Sequence, residues 1–448
     1  MKKFLLFLFI SLSISFFFQG KRGLWEPDEG RYTEASREMI LTNNYLIPKL
    51  NLEPHLSKPP VTYWLIAFSL KKFGENEFSA RLPNSFFFFL TTLVILFLSK
   101  RLFGWERAII SSIIYSTSIF PFAGLNFITT DTILTFFIWL YILFYFLKRF
   151  YLMSFFMGIA FLTKGPPSLL PFFGILIYHL FFKKIRFQVK KVSISLLIFL
   201  ITGLWWYIYI VIHDPSKINY FINYELIGRI KGIHHRNEGP FMWLMYFPIL
   251  FFGLLPWQIF FYKDLKKVFN ENPKVLFFII FVPFIIFCLS KSRLPLYLLP
   301  LMPAVAIIGS VNVKNFEKIS IITAIFLIIA RLILAYIPYS KDDKRVYSEL
   351  KKIIKSENFV LCFVTSRVWN GLNFYFKKIP EYLSLDKSKK LNRFCKKTVN
   401  EKLVEISKSH RKTFILISDI KKAKIFEKLV KRGYKKYKTE NFYVYEFN

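Results

Sequence analysis

The sequence predicts a polytopic α-helical membrane protein with a small soluble α/β domain at its C-terminal end. Of its 448 residues 54% are hydrophobic, and its 56 phenylalanines are spread through long apolar runs. Many of these runs have about the twenty residues that a helix needs to cross the hydrocarbon core of a bilayer. After Ser340 the chain becomes hydrophilic and lysine-rich, which indicates a separate soluble domain.

The first apolar run, Phe4 to Phe18, follows Lys2 and Lys3. It fits either the apolar region of a signal peptide or a first membrane span. No small-residue cleavage site follows and many more apolar segments do, so we expect a span. The preceding lysines then place the N-terminus in the cytoplasm.

About eleven membrane spans are predicted by the same length criterion. They are residues 4–19, 82–99, 107–124, 131–147, 151–163, 167–182, 192–212, 241–262, 275–290, 294–311 and 319–338. Alternating sides from a cytoplasmic N-terminus places the short lysine- and arginine-rich loops in the cytoplasm, which is their usual side. These loops are residues 100–107, 148–150, 183–191, 263–274 and 313–318.

This topology predicts two domains in a multi-pass membrane protein. Residues 1–339 form the membrane domain, whose main outer loops are 20–81, 125–130 and 213–240. Residues 340–448 form the soluble domain, in which β-prone runs alternate with helix-like stretches. Long domains are translocated largely regardless of their charge, so we expect this domain in the periplasm.

The net charge of +35 raises the question of nucleic-acid binding. No nucleic-acid recognition motif is present, and half of the charge lies in the membrane loops. Anionic lipid head groups are the commoner partner of basic segments beside membrane helices. We therefore expect membrane lipids and no nucleic acid among the partners.

The three cysteines restrict the chemistry only weakly. Cys362 and Cys395 both lie in the soluble domain and can form a disulfide if their compartment is oxidising. Cys362 is also in the middle of a predicted strand, where a buried thiol is the alternative. No CxxC pair typical of a metal site is present.

The stretch LWEPDEGRYTEASREMI, residues 24–40, is dense in charge. On a helix that begins near Asp28, Arg31 and Tyr32 share its face, so that Asp28 and Arg31 can meet. Glu34 continues this spacing with Arg37 or Glu38. The alternative is a solvated amphipathic helix with ordinary surface ion pairs.

Two lysines lie beside prolines at the outer membrane surface. Lys58 precedes two prolines that fix the backbone, and an amphipathic helix is predicted from Thr62 to Leu70. Lys164 interrupts the apolar stretch FLTKGPPSLLPF, and an ionisable residue at membrane depth suggests function. The alternative for Lys164 is a lysine that merely extends to the interface.

Further charged residues lie in the other outer loops. Asp131 stands at the start of a span, either as a helix N-cap or as a second acidic site residue. The segment 223–247 carries Glu225, Arg229, Arg236 and an adjacent histidine pair, for which a metal site is the minor alternative. Arg293 follows at another outer turn.

Acids and cations on one membrane face suggest a phosphate-bearing lipid as substrate. Cations neutralise a leaving phosphate, and a carboxylate either activates an acceptor or holds a metal that does so. A divalent metal is thus possible, although no cofactor is certain. Neither a Walker sequence nor a G-x-G-x-x-G motif is present.

Several motifs in order resemble the membrane glycosyltransferases of the aminoarabinose (lipid A) transferase and protein O-mannosyltransferase group, which are of GT-C type. The resemblance extends over residues 1 to about 340. It rests on DEGRYTEASREM, KPPVTYWLIA, GENEFSARLPN, LTKGPPSLLP, NYELIGR, GPFMWLMYFP and SKSRLPLYLLPLMPA.

The resemblance implies that the chain takes a sugar from a polyprenyl-phosphate carrier and transfers it with inversion at the outer face of the cytoplasmic membrane. It makes Asp28 the catalytic candidate, and it implies that Lys58 and Lys164 hold the carrier phosphate. The residues expected in catalysis are Asp28, Glu29 and Asp131. Those expected to bind substrate are Arg31, Tyr32, Lys58, Lys164, Arg229, Arg236 and Arg293.

The sequence departs from the aminoarabinose branch at two points. That branch commonly has an acidic residue immediately before the KPP lysine, where this chain has Ser57, and its members are longer. The expected acceptor is lipid A or a related glycolipid. The alternatives are a protein acceptor, as in the mannosyltransferases, and a transporter or flippase of lipid-linked sugars, although no internal repeat of the kind seen in transporters is present.

Overall fold

A computed structural model describes residues 1–182, 188–232, 241–311, 313, 315–386, 391–409, 411–430 and 433–447. The chain forms two compact units. The helical unit consists of Met1–Gln19, Leu56–Leu65 and Phe78–Leu334. The α/β unit consists of Gly20–His55, Ile66–Glu77 and Ala335–Asn448.

The α-helices, in chain order, are α1 (Lys2–Phe16), α2 (Asp28–Thr42), α3 (Val61–Phe73), α4 (Glu77–Phe103), α5 (Trp105–Ser116), α6 (Ile119–Asn126), α7 (Asp131–Phe146), α8 (Phe150–Lys164), α9 (Leu170–Phe182), α10 (Val189–His213), α11 (Lys217–Asn219), α12 (Gly228–Lys231), α13 (Tyr246–Phe252), α14 (Gln258–Phe261), α15 (Leu265–Glu271), α16 (Lys274–Leu289), α17 (Met302–Ile308), α18 (Phe316–Tyr336), α19 (Asp343–Ile353), α20 (Asn370–Phe376), α21 (Val399–Ser407) and α22 (Ile420–Leu429). The 3₁₀ segments are Pro166–Leu169, Met242–Met245, Tyr262–Asp264 and Pro295–Leu301, and a π-helical segment is Tyr220–Ile227.

Each predicted span coincides with one of these helices or with consecutive helical segments. Among the residues that the structure describes, three helices, α4, α10 and α18, are long and apolar enough to cross a membrane. The total is five if the bent pairs α5 with α6 and α15 with α16 each count as one span. Glycine and proline interrupt several of the other apolar segments. Gly165, for example, has a φ of 78° and ends α8 just before Pro166.

Glycines allow two pairs of helices in the helical unit to pack with their backbones in contact. A Cβ on Gly158 of α8 would lie 1.9 Å from Oγ1 of Thr202 on α10, and a Cβ on Gly203 would lie 3.1 Å from the Cα of Gly158. A Cβ on Gly174 of α9 would lie 2.4 Å from the carbonyl oxygen of Phe278 on α16. Only glycine therefore permits either close approach.

A buried arginine joins α18 to two other helices in the helical unit. The Arg331 guanidinium donates to the carbonyl oxygens of Ile14 and Phe17 at 2.8 and 2.6 Å, and to Oδ1 of Asn126 at 2.8 Å. A charge inside an apolar segment is tolerated when it is hydrogen-bonded in this way.

The α/β unit contains a mixed six-stranded sheet. Its strands are β3 (Phe359–Val364), β4 (Glu381–Ser384), β5 (Cys395–Thr398), β6 (Lys412–Ile417), β7 (Lys435–Lys438) and β8 (Tyr443–Phe447), and a separate hairpin consists of β1 (Lys49–Leu50) and β2 (Glu53–Pro54). The sheet order is β5-β4-β3-β6-β8-β7, with β8 antiparallel to both of its neighbours and the other pairs parallel. Helices α21 and α22 pack on one face through Val399, Ile406, Ala423 and Phe426. The prediction of a small α/β domain is confirmed.

The three cysteines are free thiols. Of the two alternatives for Cys362, a disulfide with Cys395 is therefore wrong and a buried thiol is confirmed. Cys362 lies on β3 and Cys395 on β5, with β4 between them. Strands are about 4.8 Å apart, whereas a disulfide needs Cα atoms within about 7 Å. Both thiols are buried in the sheet.

Candidate active site

The charged motif begins a helix in the α/β unit, as the sequence predicts. Asp28 and Glu29 occupy the first turn of α2, where carboxylates are stabilised by the helix dipole. The Asp28 carboxylate forms an ion pair with Arg31, and the Arg31 guanidinium lies 5.5 Å from the ring centre of the buried Tyr32. The side chain of Asp28 is 43% exposed. Its carboxylate is oriented and still accessible to a substrate.

Glu29, the other acid of the motif, lies in a different environment. Its carboxylate is buried and forms an ion pair with Nη1 of Arg22 at 2.7 Å. It also accepts a hydrogen bond from the Trp25 backbone N–H at 2.9 Å. The Arg22 guanidinium also lies over the Trp25 ring, 4.0 Å from its centre. These contacts suit a residue that fixes the start of α2 more than one that contacts substrate.

The second half of α2 is buried, so the alternative of a solvated surface helix is wrong. Glu34 and Arg37 form a buried ion pair with two hydrogen bonds of 2.8 Å. Burial alone would lower the pKa of Arg37, but the hydrogen bond and charge of Glu34 raise it. Glu38 accepts the backbone N–H groups of Asn51 and Leu52 at 2.6 and 2.8 Å.

A pair of buried carboxyl groups lies just before the motif. Glu26 and Asp343 are within hydrogen-bond range of each other, and Gly371 N–H donates to Glu26 at 2.8 Å. Burial raises the pKa of Glu26 to about 7, and burial with the charge of Glu26 raises the pKa of Asp343 well above its usual range. The backbone bonds Glu26 N–H to Lys341 O and Asp343 N–H to Leu24 O hold the two segments together.

In the helical unit, Lys58 lies just before α3. Its Nζ donates to the Ser57 carbonyl oxygen at 2.8 Å, and the side chain is half-buried. Pro59 and Pro60 follow directly and fix the backbone before the helix begins at Val61. The predicted helix at 62–70 therefore exists with slightly wider bounds.

Asp131 and Lys164 form a buried ion pair in the helical unit. Their side chains are only 8% and 6% exposed. Lys164 is the last residue of α8, and its Nζ lies 4.3 Å from the ring centre of Tyr297. The alternative of an interfacial lysine is therefore wrong, and so is the N-cap alternative for Asp131, because Thr130 is the N-cap of α7.

Arg229 lies next to the same tyrosine. Its guanidinium pairs with Glu225 at 2.7 Å and lies near the Tyr297 side chain. The Tyr220 hydroxyl donates to Glu225 at 3.1 Å. Tyr297 thus lies close to both the Asp131–Lys164 pair and the Glu225–Arg229 pair.

The turn that carries Arg293 lies beside Arg229, since the Ser292 N–H donates to the Arg229 carbonyl oxygen at 3.2 Å. Arg293 is buried and donates to the Cys288 carbonyl oxygen at 3.3 Å. Its Nε has no hydrogen-bond partner among the residues described in the structure. Arg236, like the adjacent histidine pair, lies outside the described residues.

The helical unit therefore brings Asp131, Lys164 and Arg229 close to Tyr297, and the turn that carries Arg293 adjoins Arg229. Three of these groups are cations, and within the described ranges no carboxylate pairs with Arg293. The cluster of acidic and basic groups has an excess of positive charge that suits an anionic phosphate. Within those same ranges, no three His, Cys, Asp or Glu side chains converge as a metal site.

Sequence reasoning missed three residues of these networks, Tyr297, Glu26 and Asp343. Tyr297 lies four positions after Arg293, and a tyrosine in an otherwise aliphatic proline-bounded turn was the available signal. Glu26 immediately precedes the cis-linked Pro27 at the start of the motif. Its partner Asp343 is remote in sequence, so no local pattern indicates the pair.

Comparison with known proteins agrees with the fold and the motifs. Residues 57–208 match the profile of the dolichyl-phosphate-mannose-protein mannosyltransferase family. Two relatives are described as undecaprenyl phosphate-alpha-4-amino-4-deoxy-L-arabinose arabinosyl transferase. The one from Wigglesworthia glossinidia brevipalpis is 32% identical over 79% of this chain and 67% of the relative. The one from Aeromonas hydrophila is 26% identical over 73% of this chain and 64% of the relative.

A crystal structure shows the same fold. ArnT from Cupriavidus metallidurans bound to undecaprenyl phosphate superposes with a TM-score of 0.83 over 99% of this chain and 97% of that one, at 17% identity. The chain spans about two thirds of the length of the curated relatives. By its similarity to these relatives, the chain belongs to the ArnT group of multi-pass inner-membrane glycosyltransferases that use polyprenyl-phosphate-linked sugars.

Proposed function

We propose that this protein transfers a sugar from a polyprenyl-phosphate carrier to lipid A or a related glycolipid. The reaction takes place at the outer face of the inner membrane. The N-terminus is cytoplasmic, and the soluble domain from residue 340 onward is periplasmic. The positive loops and the position of the motifs in the predicted outer loops support this topology.

One observation carries the proposal for the donor. In the helical unit, the Lys164 ammonium lies 4.3 Å from the ring centre of Tyr297, and Arg229 lies near the same side chain. The adjoining turn brings Arg293 beside Arg229. A lipid phosphate is small and anionic, and its oxygens accept several hydrogen bonds. It therefore binds best where several cations and a phenol hydroxyl converge. Undecaprenyl phosphate is the ligand of the structurally similar ArnT.

Each cation has a distinct role in the proposal. Lys58 and Lys164 bind the carrier phosphate and stabilise its charge as the glycosidic bond breaks. Asp131 holds the Lys164 ammonium in position. Arg229, itself held by Glu225, and Arg293 supply guanidinium groups, which can bind phosphate oxygens through two hydrogen bonds.

Asp28 acts on the acceptor. If the acceptor is a hydroxyl group, the exposed Asp28 carboxylate takes its proton as a general base while the oxygen attacks the anomeric carbon. If the acceptor is a phosphate, the nucleophile is already anionic, and Asp28 orients it, holds a cation or balances the positive charge.

Protein is the second candidate acceptor. The matching profile at residues 57–208 is that of protein mannosyltransferases, and this match is the observation that favours it. A serine or threonine hydroxyl needs a general base, so this alternative gives Asp28 the proton-transfer role.

The test is a transfer assay with purified protein in proteoliposomes. A panel of radiolabelled polyprenyl-phosphate sugars is supplied with lipid A or with membrane protein, and wild type is compared with Asp28→Asn. We expect label to move to lipid A with wild type and a loss of at least about a hundredfold in rate for Asp28→Asn. The matched control is Asp419→Asn, because asparagine replaces aspartate well at the N-cap of α22.

Each outcome has a defined meaning. Transfer to protein alone would replace the glycolipid acceptor by the protein acceptor. Undiminished transfer by Asp28→Asn would remove that residue from the reaction. The absence of transfer from every carrier, by a protein that is folded, would contradict the glycosyltransferase proposal.

A further inference from the structure

Apart from the cluster around Tyr297, the helical unit contains a cavity of about 700 Å³. It is lined by α7, α8, α9 and α10, mainly with apolar side chains. The lining includes Phe150 and Met153 at the start of α8, whereas Lys164 is the last residue of that helix. At 1.5 Å per residue, Phe150 lies about 21 Å along the helix from Lys164. The cavity therefore reaches the end of the helices opposite the cluster around Tyr297.

The packing of the helices explains why a cavity exists there. Gly158 and Gly203 hold α8 against α10, and Gly174 holds α9 against α16. The cavity lies between these two tightly packed pairs. Its apolar lining residues Phe173 and Leu196 are 41% and 55% exposed, so the cavity opens to the surface of the unit. In a membrane protein such an opening is accessible to lipid tails.

Cationic residues adjoin the lining of the cavity in the sequence. Lys148 and Arg149 immediately precede α8, Lys190 and Lys191 lie in the first turn of α10, and Lys191 lines the cavity itself. All four side chains are exposed. None of the four pairs with a carboxylate in the part of the chain that the structure describes.

The backbone beside these residues also favours an anion. Helices α8 and α10 both begin here, and neither has a side-chain N-cap hydrogen bond. Their free N–H groups and positive dipole ends add to the charge of the four cations. An anionic head group with a long apolar chain satisfies these groups and the cavity together.

We propose that this cavity binds an anionic glycerophospholipid of the surrounding leaflet. The phosphate lies at the lysine pair of α10 and an acyl chain fills the apolar space. Its volume is within the range of about 300–1,000 Å³ typical of ligand sites. Basic pockets between membrane helices recognise phospholipid head groups in the same manner. The cavity is distinct from the Tyr297 cluster, so this site does not depend on the proposed glycosyl transfer.

Native mass spectrometry of the detergent-purified full-length chain, titrated with phosphatidylglycerol or phosphatidylcholine, tests the site. We expect one phosphatidylglycerol to bind with a clear preference. Two lysines near a membrane surface correspond to about a thirtyfold affinity change, so Lys190→Gln/Lys191→Gln should lose about that much. Ser195→Trp, which fills the cavity, should abolish occupancy by either lipid.

The control is Lys266→Gln/Lys267→Gln on α15, which removes the same charge from another exposed lysine pair and should leave binding unchanged. Equal binding of the two lipids by wild type, or an equal loss in the control, would reduce the site to general charge attraction and overturn the proposal. Displacement of phosphatidylglycerol by polyprenyl phosphate at equal concentration would assign the cavity to the carrier's tail instead. Because the lysine variant changes only exposed side chains, it decides the matter even if Ser195→Trp fails to fold.

Discussion

Asp131 and Lys164 are a buried pair in which each charge depends on the other. Removing one partner of a buried ion pair leaves an uncompensated charge, which costs about 3–5 kcal/mol. Asp131 also fixes the position of the Lys164 ammonium beside Tyr297. The aspartate is therefore important for the stability of the helical unit and, on the proposed function, for the carrier as well.

We expect Asp131→Asn to lower the unfolding free energy by about 3 kcal/mol and to raise the apparent KM for the carrier. Thermal unfolding in detergent and transfer kinetics measure the two effects. The matched control is Asp214→Asn, which breaks the exposed pair with Lys217 and should leave the unfolding free energy close to that of wild type, because solvent screens exposed pairs. Equal destabilisation by both variants would contradict the importance of burial.

Glu26 and Asp343 predict a pH dependence in the α/β unit. The Glu26 pKa is raised from 4.5 to about 7 by burial, so the folded unit favours the protonated acid. This stabilisation is complete below pH 4.5 and is lost as the pH rises through about 7. The unfolding temperature should therefore fall across this interval.

Glu26→Gln should reduce that fall, since glutamine is neutral and keeps an oxygen for the Gly371 N–H. Differential scanning calorimetry between pH 5 and 8 measures the slope for wild type and variant. Glu440→Gln, at an exposed pair with Arg345, is the control and should keep the wild-type slope. An unchanged slope for Glu26→Gln would show that the carboxyl pair does not control stability.

Among the helices, α8 and α10 approach each other closely at Gly158. A Cβ at Gly158 would lie 1.9 Å from Thr202 Oγ1, so the helices must move apart to accommodate any other residue. Overpacking of this kind costs about 1–3 kcal/mol. We expect Gly158→Ala to lower the thermal unfolding temperature of the protein in detergent.

Ser154→Ala, one turn earlier on α8, is the control for that substitution, because it removes atoms and adds none. It should leave the unfolding temperature close to that of wild type. If Gly158→Ala were as stable as Ser154→Ala, the helices could separate without cost, and the close packing would not determine the cavity between the two helix pairs.

Helix positions followed from the sequence, whereas helix breaks and partners did not. Apolar length identified every predicted span, and the spacing of Asp28, Arg31 and Tyr32 predicted their contacts on α2. The burial of Glu34 and Arg37 could not be predicted, because their spacing is equally suited to a surface pair. Tertiary packing alone decides between the two.

At the level of the complete chain, partners remote in sequence were the main gap. Asp131 pairs with Lys164, and Glu26 with Asp343, across 33 and 317 residues. The periodicity of a helix or strand relates only residues that are close in the sequence, so it cannot indicate such pairs. The motifs still indicated most of the individual site residues, because a charged residue beside an apolar span usually has a specific role.

The proposed topology predicts opposite accessibility for two exposed positions in the complete molecule. Lys148 precedes α8 in a predicted cytoplasmic loop, and Ser366 follows β3 in the soluble domain. The native cysteines are first replaced by serine, and a single cysteine is then introduced at one position or the other. A membrane-impermeant maleimide should label Ser366→Cys in intact spheroplasts and label Lys148→Cys only after permeabilisation. Labelling in the reverse order would show that the protein has the opposite orientation in the membrane. Asp28, Lys58 and Lys164 lie in predicted outer loops on the same side as residue 366, so that result would contradict a reaction at the outer face.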